Sequence, residues 1–225
     1  PGIKRESIFH ALNQKAVARR YAKSIGKKYE ELNLIVVHLG GGISVGAHRK
    51  GLVIDVNNAL NGEGPISPER AGTVPSEALA TLCFSGKYTL NEVKKMLHGK
   101  AGLAAYLGTS DMITIEEKAI EGKEPYKTLV AAMDYTVAKE IGAMFVALKG
   151  QCDAIILTGG IAYSDYCVAD IKEQIEYLCK VVVLPGENEM ESLAENAFGA
   201  LTGELPVLTY TGVSCAEEIP GMAEA

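Results

Sequence analysis

Apolar residues recur along this chain with two different periods, and the change of period divides it into elements. Between positions 11 and 25, Leu12, Ala16, Val17, Tyr21 and Ile25 keep helical spacing, with Gly26 placed to stop the helix. "LNLIVVHL" (32–39) then reads as a buried strand, "ISVGAHR" (43–49) as a second, and "LVIDV" (52–56) as a third after a tight Lys50-Gly51 turn. "NNALNGEGPISPERAGTVPSE" (57–77) is a long irregular stretch, and loops of that length inside compact domains usually have a function. The pattern predicts helices over 76–84, 90–97 and 113–120, the last capped by Ser110 or Asp111. A longer helix over 125–149 carries Leu129, Met133, Val137, Ile141, Met144 and Leu148 on one stripe. "DAIILTGG" (153–160) reads as a strand, followed by a helix over 164–179, the strand "KVVVLP" and a helix over 189–201. Such a βαβα unit requires a parallel strand pair. Nothing after Leu208 is patterned, and there is no internal repeat.

Composition narrows the class. Of the 225 residues 48% are hydrophobic and 22% charged, ordinary proportions for a globular protein with a real core. The net charge is −6 and no Lys/Arg block exceeds two residues, so neither nucleic acid nor an acidic membrane is an expected partner. No apolar run reaches the roughly 18 residues of a membrane span. Five scattered cysteines without a CxxC pair argue against zinc and against a disulfide framework, and a cytoplasmic setting is expected. "PGIKRESIFH" lacks an initiator Met, so the start is a processed terminus or the edge of a fragment missing upstream sequence.

Two glycine runs carry the candidate chemistry. Gly40, Gly41 and Gly42 join strand to strand; glycine weakens a strand, so the run marks a close approach to the backbone, with positive φ expected at Gly41. The stretch has neither the GxGxxG spacing and following helix of a dinucleotide fold nor the Gly-Lys-Ser/Thr of a Walker A loop. What remains is a hairpin whose amides could surround an anion, with Ser44 adding a hydroxyl; the bland alternative is a bulge without a ligand. Gly159-Gly160 ends a strand just before a helix, where open α/β sheets bind ligands, or where a plain tight turn sits. Together, a glycine hairpin and a later strand–TGG–helix form the two-sided clamp of the actin, sugar-kinase and Hsp70 ATPases. The expected fold class is therefore α/β, a ribonuclease H-like, actin-like ATPase lobe with a mixed sheet flanked by helices.

Four stretches then become recognisable. "SIFHALNQKAVARRYA", "HLGGGISVGAHRKGLVIDVNNALNGEGPISPERAGT", "LTGGIAYS" and "PGENEMESLAENAFGAL" resemble, in order, the Phe-His segment, phosphate and substrate loops, adenosine loop and late acidic helix of the acetate kinase family. Within that family the likeness is greater to members acting on butyrate than on acetate. It runs from about Pro1 to Leu208. It implies a C-terminal acyl-kinase lobe over 1–208 with a mainly helical insertion at about 76–122, a tail over 209–225, and an N-terminal lobe outside this sequence.

The resemblance also implies roles. Glu63, Gly64 and Arg70 keep the family's Glu-Gly, six positions, then Arg spacing, and a planar guanidinium suits a carboxylate or a transferring phosphoryl group. His10, after Phe9, is implied as a donor to the phosphoryl in flight. His38, Gly40, Gly41, Gly42 and Ser44 would hold the ATP phosphates, with His38 as plausibly orienting the loop. Gly159, Gly160, Ile161 and Asp111 would hold adenosine. Phe9, Asn58, Glu63 and Gly64 would form the acid pocket, and Glu189 would lie at Mg²⁺, with Glu187 or Glu191 as alternatives. His48 and His98, without a motif, read as surface residues. Gly41 replaces the Asn of acetate kinases, and the Arg that follows in acetate kinases near Asp111 is lacking, so base contacts should differ.

The implied reaction is reversible transfer of the γ-phosphoryl of ATP to a short-chain fatty acid, butyrate foremost, by a cytoplasmic homo-oligomer using ATP and Mg²⁺. Rivals are an acetate, branched-chain-acid or sugar kinase of the same fold, and an ATP-responsive switch of the actin or Hsp70 type. As given, the chain could also be an inactive fragment.

Overall fold

The computed structural model describes residues 8–61, 63–187, 189–205, 207 and 209, and of Glu189 only its place in a helix. The chain divides into two units, Ser7–Asn188 and a second made of 1–6 and 189–225. In the larger unit the order is α1 (Ala11–Ser24), β1 (Asn33–Leu39), β2 (Ile43–Arg49), β3 (Leu52–Val56), α2 (Ser76–Cys83), α3 (Leu90–Leu97) and α4 (Leu103–Leu107). It continues with α5 (Met112–Ile120), α6 (Tyr126–Ala147), β4 (Ala154–Thr158), α7 (Asp165–Ile175) and β5 (Val181–Val183). The second unit contributes α8 (Glu189–Thr202), after which the Leu205 amide donates to the Gly199 carbonyl at 2.9 Å. The unmatched tail over 209–225 lies almost wholly outside the described residues.

The five strands form one mixed sheet in the order β3-β2-β1-β4-β5. β1–β2 and β2–β3 are antiparallel, whereas β1–β4 and β4–β5 are parallel, as the βαβα reading requires. Strand alternation sorts the core into two layers. Ile35, Val37, Leu39, Ile155 and Leu157 pack with Met133, Val137 and Ile141 of α6 and Ile171 of α7. On the opposite face Leu34, Val36, Ala154 and Ile156 pack with Val17, Ala18 and Tyr21 of α1. Each fully buried side chain of this kind stabilises the fold by about 1.5–3 kcal/mol.

The structure departs from these expectations at five points. The buried stripe of α1 is Asn13, Gln14, Val17, Ala18, Tyr21 and Ala22, while Leu12 and Ile25 are exposed. α7 ends at Ile175 rather than 179, and a 3-10 turn at Ile161–Tyr163 separates Gly160 from it. α4, five residues preceded by Gly102 and closed by the left-handed Gly108, is too short for periodicity to reveal. His48 is not a surface residue: it is fully buried, because β2 is an interior strand whose polar face is covered by α1. His98 is half-buried, its backbone bridging that of Arg70. Among the described residues no helix is long and apolar enough to cross a membrane.

Candidate active site

Two cavities open on either side of the turn that joins β1 to β2. The larger, of about 500 Å³, is lined by Gly40, Gly41, Asp111, Gly160 and Ile161, with Glu116 and Glu187 adding carboxylates. The smaller, of about 210 Å³, is lined by Ile8, Phe9, His10, Gly42, Ala59, Leu60 and Arg70. One turn thus walls both cavities, passing from the larger to the smaller between Gly41 and Gly42.

Space, not handedness, explains that turn. None of its three glycines has a left-handed backbone, contrary to the expectation for Gly41. A Cβ on Gly40 would lie 3.2 Å from His38 Nε2, and one on Gly42 would lie 3.3 Å from the Ala59 carbonyl. The Gly40 amide donates to the Gly42 carbonyl at 3.2 Å, and the Gly41 carbonyl accepts from the Glu69 amide at 3.1 Å and the Ser67 hydroxyl at 2.7 Å. The amides of Gly41 and Gly42 have no acceptor among the described residues. Gly159 is the glycine that conformation demands. Its φ is 91°, and a Cβ there would collide with the Leu39 carbonyl, so the second glycine run lies directly on the end of β1.

Strand register and α1 together place the histidines. His38 and Ser44 are cross-strand partners facing α1. His38 Nδ1 pairs with Asn13 Oδ1 at 2.9 Å, and the His10 ring stacks on the His38 ring with centroids 3.7 Å apart and planes 12° from parallel. Burial, and then the neighbouring His10, lowers the His38 pKa to about 3. The Glu187 carboxylate, 3.6 Å from His38 Nε2, is too distant and too exposed to reverse that direction. Ser44 is fully buried, its hydroxyl shared by His10 Nδ1 and Gln14 Nε2, each at 2.8 Å. It stands behind the glycine turn and does not line the larger cavity, because strand alternation turns it toward α1.

Arg70 projects from a clamped loop. The Ser67 amide donates to the Arg70 carbonyl at 3.1 Å, and the Arg70 amide donates to Ser67 Oγ at 3.0 Å. Gly102 supports both residues, since a Cβ there would collide with the Ser67 carbonyl. Arg70 Nη1 reaches the Glu69 carbonyl at 3.2 Å and its carboxylate at 3.4 Å. Arg70 Nε is buried and has no hydrogen-bond partner among the described residues. A buried donor without an acceptor costs about 1–3 kcal/mol, so this atom is poised for an acceptor that none of the described residues supplies.

Asn58, Glu63 and Gly64 do not line the smaller cavity; they build the loop that does. Asn58 Oδ1 accepts from the Leu60 and Asn61 amides at 3.1 Å, and the Glu63 carboxylate accepts from the Asn58 amide at 2.6 Å. Gly64 is left-handed and packs against the Asn57 side chain. Asp111 caps α5 through the Ile113 amide, and its bond from Thr114 Oγ1 lowers its pKa. Glu189 begins α8, and its side chain falls outside the described residues. Among the described residues no group of three or more His, Cys, Asp or Glu forms a metal cluster. The larger cavity has three acidic and no basic lining residues.

Sequence reasoning missed Asn13, Gln14 and Ser67, all buried and polar. Asn13 and Gln14 did leave a signal, four positions before Val17 and Ala18 on the same helical stripe.

Residues 2–199 match the acetokinase family. A curated probable butyrate kinase of Phocaeicola vulgatus is 72% identical over 210 residues, which are 93% of this chain and 59% of that protein. The probable butyrate kinase of Bacteroides thetaiotaomicron is 55% identical over 210 residues, 93% of this chain and 60% of its own. The chain therefore spans about three fifths of the length of these curated relatives. Porphyromonas gingivalis acetate kinase superposes with a TM-score of 0.76 at 22% identity, over 84% of this chain and 54% of the other. A propionate kinase of Francisella tularensis does so with a TM-score of 0.72 at 22% identity, over 81% and 53%. These structures bear out the expected actin-like ATPase fold.

Proposed function

The chain belongs to the acetokinase family, and on that premise we propose that it is the C-terminal catalytic lobe of a kinase that moves the γ-phosphoryl of ATP to a short-chain fatty acid and back. Butyrate is the acceptor we assign, following the relatives named probable butyrate kinases. The observation that carries the reading is Arg70 Nε, a buried donor without a partner among the described residues. It stands in a small cavity walled by Phe9, Ala59 and Leu60, one glycine step from the larger one.

The chemistry follows from charge. A carboxylate is already a nucleophile, so no strong base is needed; the site must bring two anions together and stabilise charge on the phosphoryl oxygens. Arg70 would bind an acid or phosphoryl oxygen with its fork. His10 would donate to the phosphoryl, the Gly41 and Gly42 amides would meet the phosphates, and Gly160, Ile161 and Asp111 would flank the nucleoside. Phe9, Ala59 and Leu60 would cover the acyl chain. Magnesium, when bound, would offset phosphate charge. A single carboxylate completed by water and phosphate oxygens suits that ion, and the half-exposed Glu187 beside Gly40 is the donor we assign. Glu189, expected from the resemblance, lies in the second unit.

The test uses the full-length protein with ATP and magnesium, trapping acyl phosphate as the hydroxamate. ADP release should require added acid, with butyrate preferred over acetate. Release that ignores carboxylic acids would favour the switch reading, and release driven by sugars the sugar-kinase one.

A further inference from the structure

We infer that Gln14 is a positioning residue which, through Ser44, fixes the proton of His10 on Nε2. One atom of Gln14 has only one possible role. Gln14 Nε2 lies 3.1 Å from the Ser44 backbone carbonyl, which can only accept, so that end of the fully buried amide is the donor. Its other hydrogen goes to Ser44 Oγ at 2.8 Å. The amide oxygen faces His48 Nε2 at 3.0 Å and accepts from it, and His48 Nδ1 in turn accepts from the Tyr29 hydroxyl at 2.6 Å. Both outer groups hold their neutral forms: burial lowers the His48 pKa to about 4 and raises that of Tyr29 to about 12.

Ser44 Oγ already accepts from Gln14, and among the described residues its one other hydrogen-bond partner is His10 Nδ1 at 2.8 Å, so its own hydrogen goes to that nitrogen. Nδ1 is thereby the acceptor of the ring, and the hydrogen is on Nε2. The fold makes room for this arrangement. Gly46 sits on β2 where a Cβ would collide with Gln14 Oε1, so the strand is hollowed to admit the amide. The neighbouring Asn13 does the reverse for the stacked ring. Its Nδ2 donates to the Glu187 carbonyl at 2.6 Å, so its Oδ1 must accept from His38 Nδ1. Adjacent residues of one helix thus set opposite tautomers on two stacked imidazoles.

The consequence for turnover rests on the acyl-kinase reading above: an N–H presented to a phosphoryl oxygen attracts it, whereas a ring lone pair repels it. The tautomer itself does not depend on that reading. Full-length protein with ¹⁵N-labelled histidine, observed by long-range ¹H–¹⁵N correlation, should show His10 with a pyridine-like Nδ1 and a pyrrole-like Nε2. A pyrrole-like Nδ1 in the wild type overturns the proposal whatever the enzyme does. Gln14→Glu, which when ionised accepts from Ser44 instead of donating to it, should move the His10 proton to Nδ1. It should also lower kcat on the order of 10², the scale of losing one preorganised donor, with KM for the nucleotide little changed. Gln14→Leu keeps the fold readable if the buried acid prevents folding, and should broaden His10 into a tautomer mixture. A folded Gln14→Leu protein whose His10 spectrum is that of the wild type also overturns it. Loss of the acid-dependent reaction in the wild type, with the expected spectrum intact, would instead sink the kinase reading and leave the tautomer assignment standing.

Discussion

Ser67 ties the two cavities together through Gly41: its hydroxyl donates to the Gly41 carbonyl at 2.7 Å while accepting from the Arg70 amide at 3.0 Å. The wall of the larger cavity and the cation of the smaller one are therefore held by a single fully buried oxygen. Ser67→Ala orphans the Arg70 amide and removes one of the two donors to Gly41. We expect a stability loss of about 1–3 kcal/mol by denaturant melts, together with a fall in kcat and a rise in KM for ATP. A change confined to one substrate would show that the two cavities are set independently.

Gly41→Val addresses the turn itself. A Cβ there meets only the end of the Glu69 side chain, at 3.3 Å, and the backbone is not left-handed, so the variant should fold. The added branches crowd the Gly41 and Gly42 amides. KM for ATP in the full-length enzyme should rise about tenfold or more, roughly 1.4 kcal/mol of binding. Wild-type kinetics from a folded Gly41→Val protein would remove this turn from the nucleotide site.

Much of this arrangement was legible in the sequence because its physics is local. β2 and β3 were bounded by a glycine run and a tight turn, and both glycine runs announced close backbone approach. That Phe9, His10 and Arg70 share one cavity, and Gly41, Asp111, Gly160 and Ile161 the other, follows the family resemblance rather than any local pattern, since they come from distant segments. What was hidden is nonlocal. Ser44, Gly46 and His48 alternate with Ile43, Val45 and Ala47, a pattern that fits a half-solvated strand equally well. Only the neighbouring strands and α1 make that polar face an interior. Asn13 and Gln14 interrupt an apolar stripe, and nothing in their own helix says that a buried histidine and serine await them.

Asp134 on α6, which lines neither cavity, gives a pH test. Its carboxyl is fully buried, near Asp170 of α7 and Glu116 of α5, and among the described residues only the weakly donating Cys167 thiol of α7 comes within reach of it. Burial first, then Asp170, raises its pKa to about 8 from the ordinary 3.8. Between about pH 4 and pH 8 the unfolded chain releases this proton and the native one keeps it, so the residue costs stability as pH rises, by up to about 1.4 kcal/mol per pH unit. Asp134→Asn should therefore gain on the wild type progressively across that window in parallel melts. A stability difference that is flat from pH 5 to pH 8 would mean the carboxyl titrates normally.

Arg70 carries the strongest expectation. Its loop is pinned by Ser67 and Gly102, one face of its fork is taken by Glu69, and its Nε is buried without an acceptor among the described residues. A carboxylate or phosphoryl oxygen would satisfy that donor in a geometry a point charge cannot reproduce. Arg70→Lys should then behave far more like Arg70→Ala than like wild type, because the ammonium keeps the charge and loses the planar fork. Both variants of the full-length enzyme should lose on the order of 10²–10³ in acyl phosphate formation, the scale of one electrostatic donor to a transition state. Circular dichroism should stay that of the wild type and melting should not fall in either, since both variants remove the buried unpartnered Nε and Arg70 belongs to neither core layer. An Arg70→Ala enzyme that retains more than about a third of wild-type turnover would fall below the loss any transition-state donor should cause. The assignment of this cavity to the reacting acid would then fail.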